Sequence, residues 1–365
     1  MRRSLVLLLI SAFSTFTIAQ NSSVQQPKLT HQMSGTTQLL IAVSPVNSQV
    51  VWAAGTGGTY VVTTDGGNTW KSGVVPGAEQ LQFRDVQGVS ANVAYLMSIG
   101  NNTTDFRIYK TADGGATWNM QFENQTVSAF YDCFAFWEPN RGIAHSDSVN
   151  GVFPDIRTFS GQKWHSISGN IPPALTGEAS FSSSGTCITT QGDSNAWITT
   201  GGATTSRILA TTDSGNTWNA YDTPLISNAS AGGLSVAFRD AMHGIVGGGD
   251  LSVNYRIQAA TSSDGGQTWT LTKKPPIGGT IFCLAYANGM TLNSEASMDH
   301  DYDRTVVITS EDAPNFTSGA AAWTPDEGQT WYRISGASGY WAVAFANPHN
   351  GWFVGNNGQI LKISF

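Results

Sequence analysis

Charge is what this chain has least of. Only 12% of its 365 residues are Asp, Glu, Lys or Arg, which leaves no material for long charged surface helices. The basic sign is the scarcer one, with 18 Lys and Arg against 25 Asp and Glu. That balance gives no electrostatic footing for nucleic acid or an anionic membrane, and neither is expected as a partner. Past residue 20 there is no apolar run of the ~20 residues that span a bilayer, so no stable membrane insertion is expected. Cysteine is limited to Cys133, Cys187 and Cys283. The odd count argues against a disulfide framework, and the spacing is not that of a metal site. Cys133 and Cys283 lie in apolar, strand-like stretches. Buried thiols are therefore expected, with one disulfide as the competing arrangement. Gly55-Thr56-Gly57-Gly58 and Gly247-Gly248-Gly249 have no helix behind them to hold a pyrophosphate. No cofactor is expected.

Residues 1–20 read as a secretory signal. Arg2 and Arg3 form its charged start, residues 5–10 its apolar core, and Thr17-Ile18-Ala19 a small-residue cleavage site. Ser11, Ser14, Thr15 and Thr17 interrupt the stretch, which favours cleavage over anchoring. The expected mature protein is secreted or periplasmic. Without Arg2 and Arg3 it holds 18 − 2 = 16 basic residues against 25 acidic ones, a balance of −9.

Glycine, in contrast, is abundant at 40 residues, and much of it falls in a repeated turn. Thr63-Thr64-Asp65-Gly66-Gly67-Asn68-Thr69-Trp70 returns around Asp113 and Trp118, Asp213 and Trp218, Asp264 and Trp269, and Asp326 and Trp331. A worn copy, Thr158-Phe159-Ser160-Gly161-Gln162-Lys163-Trp164, has lost its aspartate. Successive tryptophans fall 48, 46, 54, 51 and 62 residues apart. A period of this size with a hairpin turn in each unit predicts a β-propeller. Asp and Gly suit a strand–turn–strand, and the Asp carboxylate can accept hydrogen bonds from the turn's own N–H groups. The Trp would plug the space between neighbouring units. Asp65, Asp113, Asp213, Asp264 and Asp326 are therefore read as structural, not as catalytic acids.

The pattern Ser/Thr-x-Asp-x-Gly-x-Thr-Trp resembles the Asp-box of bacterial neuraminidase (BNR) repeats. Such repeats occur in sialidases, xyloglucanases, sortilin-type receptors and the photosystem II stability/assembly-factor propellers. The stretch from Phe238-Arg239-Asp240 through Gly244 to Trp269 is most similar to the last of these. The resemblance covers most of the chain beyond the signal and implies a propeller, with binding and hydrolysis both represented among its members. An assembly-factor-like scaffold engaging a protein or small ligand is the function implied. A BNR-type glycoside hydrolase is the alternative. Sialidase chemistry is not expected, because no Arg-Ile-Pro occurs and the first unit holds no arginine.

Phasing on the tryptophans places blades near 38–75, 79–125, 128–169, 176–224, 230–275 and 278–335, with a seventh from residue 340 to the C-terminus. The seventh lacks its outer strand, which residues 27–33 are expected to supply. The fold expected is all-β: one seven-bladed domain over residues 21–365, a closed monomer.

The repeated turns occupy one face, so a ligand site is expected on the other, where loops converge. Arg107, Arg207, Arg256 and Arg304 are placed there, each just ahead of a third strand. They either pair with nearby acids or form a cluster gripping a carboxylate. The assembly-factor resemblance implies an arginine-bearing binding surface as well. Tyr131 joins this set as a ligand contact. Asp132 and Glu178, placed atop adjacent inner strands, and Asp250 are the candidate catalytic carboxylates, since glycoside hydrolysis needs two about 5–10 Å apart. Residues 178–187, 130–133 and 230–233 depart from the regular repeat, which marks them for function.

Overall fold

The computed structural model describes residues 26–253, 256–289, 300–312 and 319–365. The signal stretch at residues 1–20 lies outside them. Seven four-stranded antiparallel sheets follow one another around a ring. Blade one spans strands from Leu40–Pro45 to Lys71–Val74, and blade two from Gln82–Gly88 to Asn119–Glu123. Blade three runs from Tyr131–Glu138 to Trp164–Ser166, and blade four from Ile188–Gln191 to Asn219–Asp222. Blade five runs from Ala231–Phe238 to Thr270–Leu271, and blade six from Thr280–Tyr286 to Tyr332–Ser338. Blade seven holds three strands from Tyr340–Asn347 to Gln359–Ser364. Lys28–Met33 completes it, in register from Lys28 opposite Ser364 to Met33 opposite Gln359.

The repeated turns hold themselves together. In the first, Thr63 donates its hydroxyl to Asp65 Oδ1 at 2.8 Å, and Gly67 N–H donates to the Thr63 hydroxyl at 2.9 Å. Thr69 then donates its N–H and its hydroxyl to the two Asp65 oxygens, at 2.9 and 2.6 Å. The same pattern recurs at Asp113, Asp213, Asp264 and Asp326. Hydrogen bonds from Thr69 and Thr117 hold the Asp65 and Asp113 carboxyls down at about 2, so these acids stay ionised. The tryptophan that follows packs against the preceding blade. Trp118 meets Tyr60 of blade one edge-on, with ring centroids 5.1 Å apart.

Six of the seven inner strands carry a β-bulge near their first residue. Each bulge leaves one residue outside the pairing: Ile41, Arg84, Asp132, Leu234, Phe282 and Trp341. A bulge re-aims a side chain, and here it is aimed into the central channel. Ile41, Leu234, Phe282 and Trp341 form one buried apolar cluster there, and the Arg84 guanidinium lies 5.7 Å from the Trp341 ring centre.

Blade four supplies a plug instead of a bulge. Its inner strand starts only at Ile188, and the preceding residues 179–187 cross the channel. Phe181 joins the apolar cluster. The hydroxyls of Ser183 and Ser184 both donate to Phe282 O, at 2.9 and 2.7 Å. Arg84 Nη1 donates to Ser182 O at 3.1 Å. Gly185 must be glycine here: its φ is +77°, and a Cβ would lie 2.4 Å from Asp85 Oδ1. The irregular stretch at 230–233 also has a steric reason. A Cβ on Gly232 would meet Gly201 Cα of blade four at 2.4 Å.

Cysteine usage differs from the thiol expectation. Cys133 and Cys187 form a disulfide, with Cα atoms 6.0 Å apart, and Cys283 is the buried free thiol. The bridge ties the inner strand of blade three to the end of the plug. The sequence separation of 54 between the two cysteines hid a proximity that the packing of neighbouring blades creates.

Candidate functional site

The two carboxylates set beside one another by sequence have different surroundings, Glu178 bonded to Arg207 and Asp132 beside Asp147. Glu178 lies ten residues ahead of the inner strand of blade four, not at its top. Arg207 grips it with two bonds, Nε to Oε1 at 2.9 Å and Nη2 to Oε2 at 2.5 Å. Thr200 Oγ1 and Leu175 N–H donate to the remaining lone pairs, both at 2.7 Å. The pair is nearly dry, with side-chain exposures of 10% for Arg207 and 0% for Glu178. Its acceptor capacity is satisfied internally, which is the geometry of a structural ion pair.

Asp132 is buried at the mouth of the channel, where Oδ2 has no hydrogen-bond partner. Burial, reinforced by the charge of Asp147, pushes its carboxyl well above the usual range, and Arg84 only partly opposes this. Asp147 in turn accepts the N–H of Ser180 at 2.9 Å, which holds the start of the plug. Burial raises the Asp147 carboxyl as well, so the pair resists ionisation. Asp250 is the opposite case. Burial raises it, but hydrogen bonds from Ser252, Asn228 and Ser230 outweigh that and hold it at about 2.

The four arginines do not converge. Arg107 pairs with Glu123 on the neighbouring strand at 3.1 Å, Arg207 is committed to Glu178, and Arg256 is exposed in the loop ahead of Gln258–Ser262. Arg304 is corrected to the other face. In blade six the second strand is Val306–Glu311 and the third is Ala320–Thr324. The long insertion therefore sits in the first hairpin, on the side of the repeated turns. There Arg304 Nε pairs with Glu327 at 3.0 Å.

Sequence reasoning passed over Glu311. It ends the second strand of blade six at the loop face, fully buried, with Gly319 N–H donating to one oxygen at 3.2 Å and the other unpartnered. Burial pushes its carboxyl up to about 7. Because the folded state binds this proton more tightly than the unfolded chain, its stabilising contribution is complete below about pH 4.5. It is lost as pH rises through 7. Glu311→Gln is expected to remove this loss, gaining on wild type by up to about 3 kcal/mol between pH 4 and pH 8. Urea denaturation of both proteins across that range checks it, and parallel pH profiles would refute it.

One open groove lies on the loop face, between blades two and three. It measures about 480 Å³ and is lined by Phe122, Glu123, Tyr131, Val149, Val152, Pro154, Ile156 and Trp164, among others. The third and outer strands of blade three, Ile156–Thr158 and Trp164–Ser166, have three residues each, where blade two has five in both. The shortened sheet leaves the flank of blade two uncovered. Tyr131 forms part of the wall, with its hydroxyl bonded to Pro154 O at 2.8 Å and its ring 5.3 Å from that of Phe122. Val152 stands on the rim, 47% exposed. Among the described residues, no group of three or more His, Cys, Asp or Glu side chains could hold a metal ion. No helix among them is long and apolar enough to cross a membrane.

These features define a seven-bladed β-propeller with a plugged channel and a side groove. No family model matches the chain, and no curated protein matches it. Among solved structures it is similar to YCF48 bound to D1 peptide, with TM-score 0.62 and 15% identity over 94% of this chain and 96% of that one. YCF48 from Cyanidioschyzon merolae gives 0.62 and 15% over 92% and 98%. The GH74 xyloglucanase from Xanthomonas campestris gives 0.60 and 13%, over 91% of this chain and 53% of that one. At such identities the likeness is one of fold.

Proposed function

We propose that this chain is an exported Asp-box propeller of the assembly-factor-like kind. It acts as a binding scaffold that takes up an extended protein segment in the groove between blades two and three. The groove carries this reading: it is open and sets an apolar wall of Phe122, Tyr131, Val149, Val152, Ile156 and Trp164 beside polar groups of Asn124, Gln125, Thr126, Ser166 and Ser168. Its apolar wall fits an apolar side chain, and Asn124, Gln125 and Thr126 are at hand to bond a peptide backbone. A similar propeller is described as bound to a peptide, which supports a protein partner over a glycan. The Cys133–Cys187 bridge supports export, since such bridges persist in oxidising compartments. The hydrolase alternative draws no support from Glu178 or Asp250, whose oxygens are already bonded within the protein.

Selection of a displayed random-peptide library against the full chain tests the proposal. Peptides with a central apolar residue are expected to be enriched. Their affinity is expected to fall about tenfold or more in Val152→Glu, which places a charge on the groove rim, and to be unchanged in Met242→Glu on the turn face. Enriched peptides that bind Val152→Glu as well as wild type would refute the site. Hydrolysis of glycans by the purified protein would instead favour the enzyme.

A further inference from the structure

The displaced arginine has company. On the face of the repeated turns, between blades five and six, a pocket of about 380 Å³ is lined by Arg239, His243, Thr261, Ser263, Arg304 and Glu327, with Ser262 beside them. Glu327 occupies the turn position held by glycine in three of the other four intact copies, and it does so at φ 54°. A bulky residue in the left-handed region is strained, and such strain concentrates where a geometry is being held. Here Glu327 holds two arginines. Oε1 accepts Arg239 Nε at 2.8 Å and Tyr286 Oη at 3.0 Å, while Oε2 accepts Arg304 Nε at 3.0 Å.

The acids around this pocket are satisfied by groups behind it. Both Glu327 oxygens are engaged as described. Asp240 accepts Arg239 Nη1 at 2.7 Å, the N–H groups of Met242 and His243 at 2.8 Å, and His243 Nδ1 at 2.9 Å. Arg304 Nη2 is turned to Asp326 O at 3.3 Å. Gripping the guanidiniums by Nε fixes both planes from one side and leaves other N–H donors of the two forks facing the pocket. His243 keeps Nε2 on the far side of its ring from Asp240. Among the lining residues the charge is two guanidiniums against one carboxylate, with three hydroxyls, of which that of Ser262 already donates to Asp264 Oδ1 at 2.8 Å.

We propose that this pocket binds a tetrahedral oxyanion, a phosphate or sulfate group, between the forks of Arg239 and Arg304. Planar forks with several N–H donors match such oxygens, and the bonds formed are charge-assisted. The site is independent of the loop-face groove and lies on the opposite side of the ring.

Titration calorimetry of the full-length mature chain with sodium phosphate, at low ionic strength, tests the assignment. Saturable binding is expected, with sulfate competing. Arg304→Ala is expected to weaken it about tenfold or more. Arg304 is half exposed, so this variant should keep the fold, which circular dichroism checks. Arg304→Lys keeps the charge and loses the fork, and an intermediate affinity is expected. Lys71→Ala, an exposed charge on blade one, should leave binding unchanged. Equal phosphate binding by wild type and Arg304→Ala would overturn the proposal. So would an equal loss in Lys71→Ala, which would mark the response as general screening.

Discussion

Glu178→Ala is expected to lower the free energy of unfolding by about 3–5 kcal/mol. Removing the carboxylate leaves Arg207 with a charge inside the protein and only Pro173 O near its Nη2. It also strands the Leu175 N–H that the carboxylate accepted and leaves the Thr200 hydroxyl only its longer bond to Arg207 O at 3.3 Å. The cost is that of an uncompensated buried cation, so removing the cation as well should return part of it. The double variant Glu178→Ala/Arg207→Met is expected to be more stable than Glu178→Ala alone, which is the sign of coupling within one pair. Urea denaturation of the three proteins measures both effects. A loss below about 1 kcal/mol in the single variant would show that water reaches the arginine and that the pair is a surface one. The same comparison guards any activity test, because a lost activity in Glu178→Ala would follow from lost structure alone.

Opening the bridge is expected to have an effect of similar size. A link between residues 54 apart removes about 4 kcal/mol of chain entropy from the unfolded state in the loop-closure account. Cys133→Ala/Cys187→Ala should therefore unfold at much lower denaturant, and reductant should shift wild type towards it while leaving the double variant unmoved. The bridge also pins the end of the plug to blade three, so its loss should raise hydrogen exchange first in residues 179–187 and in the inner strand of blade four. Identical denaturation of reduced and oxidised wild type would refute the assignment.

The ring was legible in the sequence because its information is local. A turn that satisfies its own hydrogen bonds announces itself by composition, and the spacing between Trp70 and Trp331 counts the blades between them. The missing turn after Ile363 pointed to an outer strand from elsewhere, and Lys28–Met33 is that strand. What escaped was information created only by closure. The 62-residue interval before Trp331 tells how much chain blade six contains but not which hairpin holds the excess, and Arg304 was therefore assigned to the wrong face. Arg84 and Trp341 read as ordinary strand residues because a bulge leaves little mark on a two-residue alternation. Glu311 reads as one more surface acid until the walls of blade six enclose it. The irregular stretch 178–187 was noticed, yet its role depends on Phe282 and Arg84, about a hundred residues away in either direction.

The seam in blade seven also orders events in time. Among the described strands Lys28–Met33 is made first and its partner Gln359–Ser364 last. That strand must wait for all seven blades, and Lys362 Nζ reaches Gly66 O across 296 residues only once the last of them has been made. Blades can zip up one after another, but the circle cannot lock until the strands of the seventh are made.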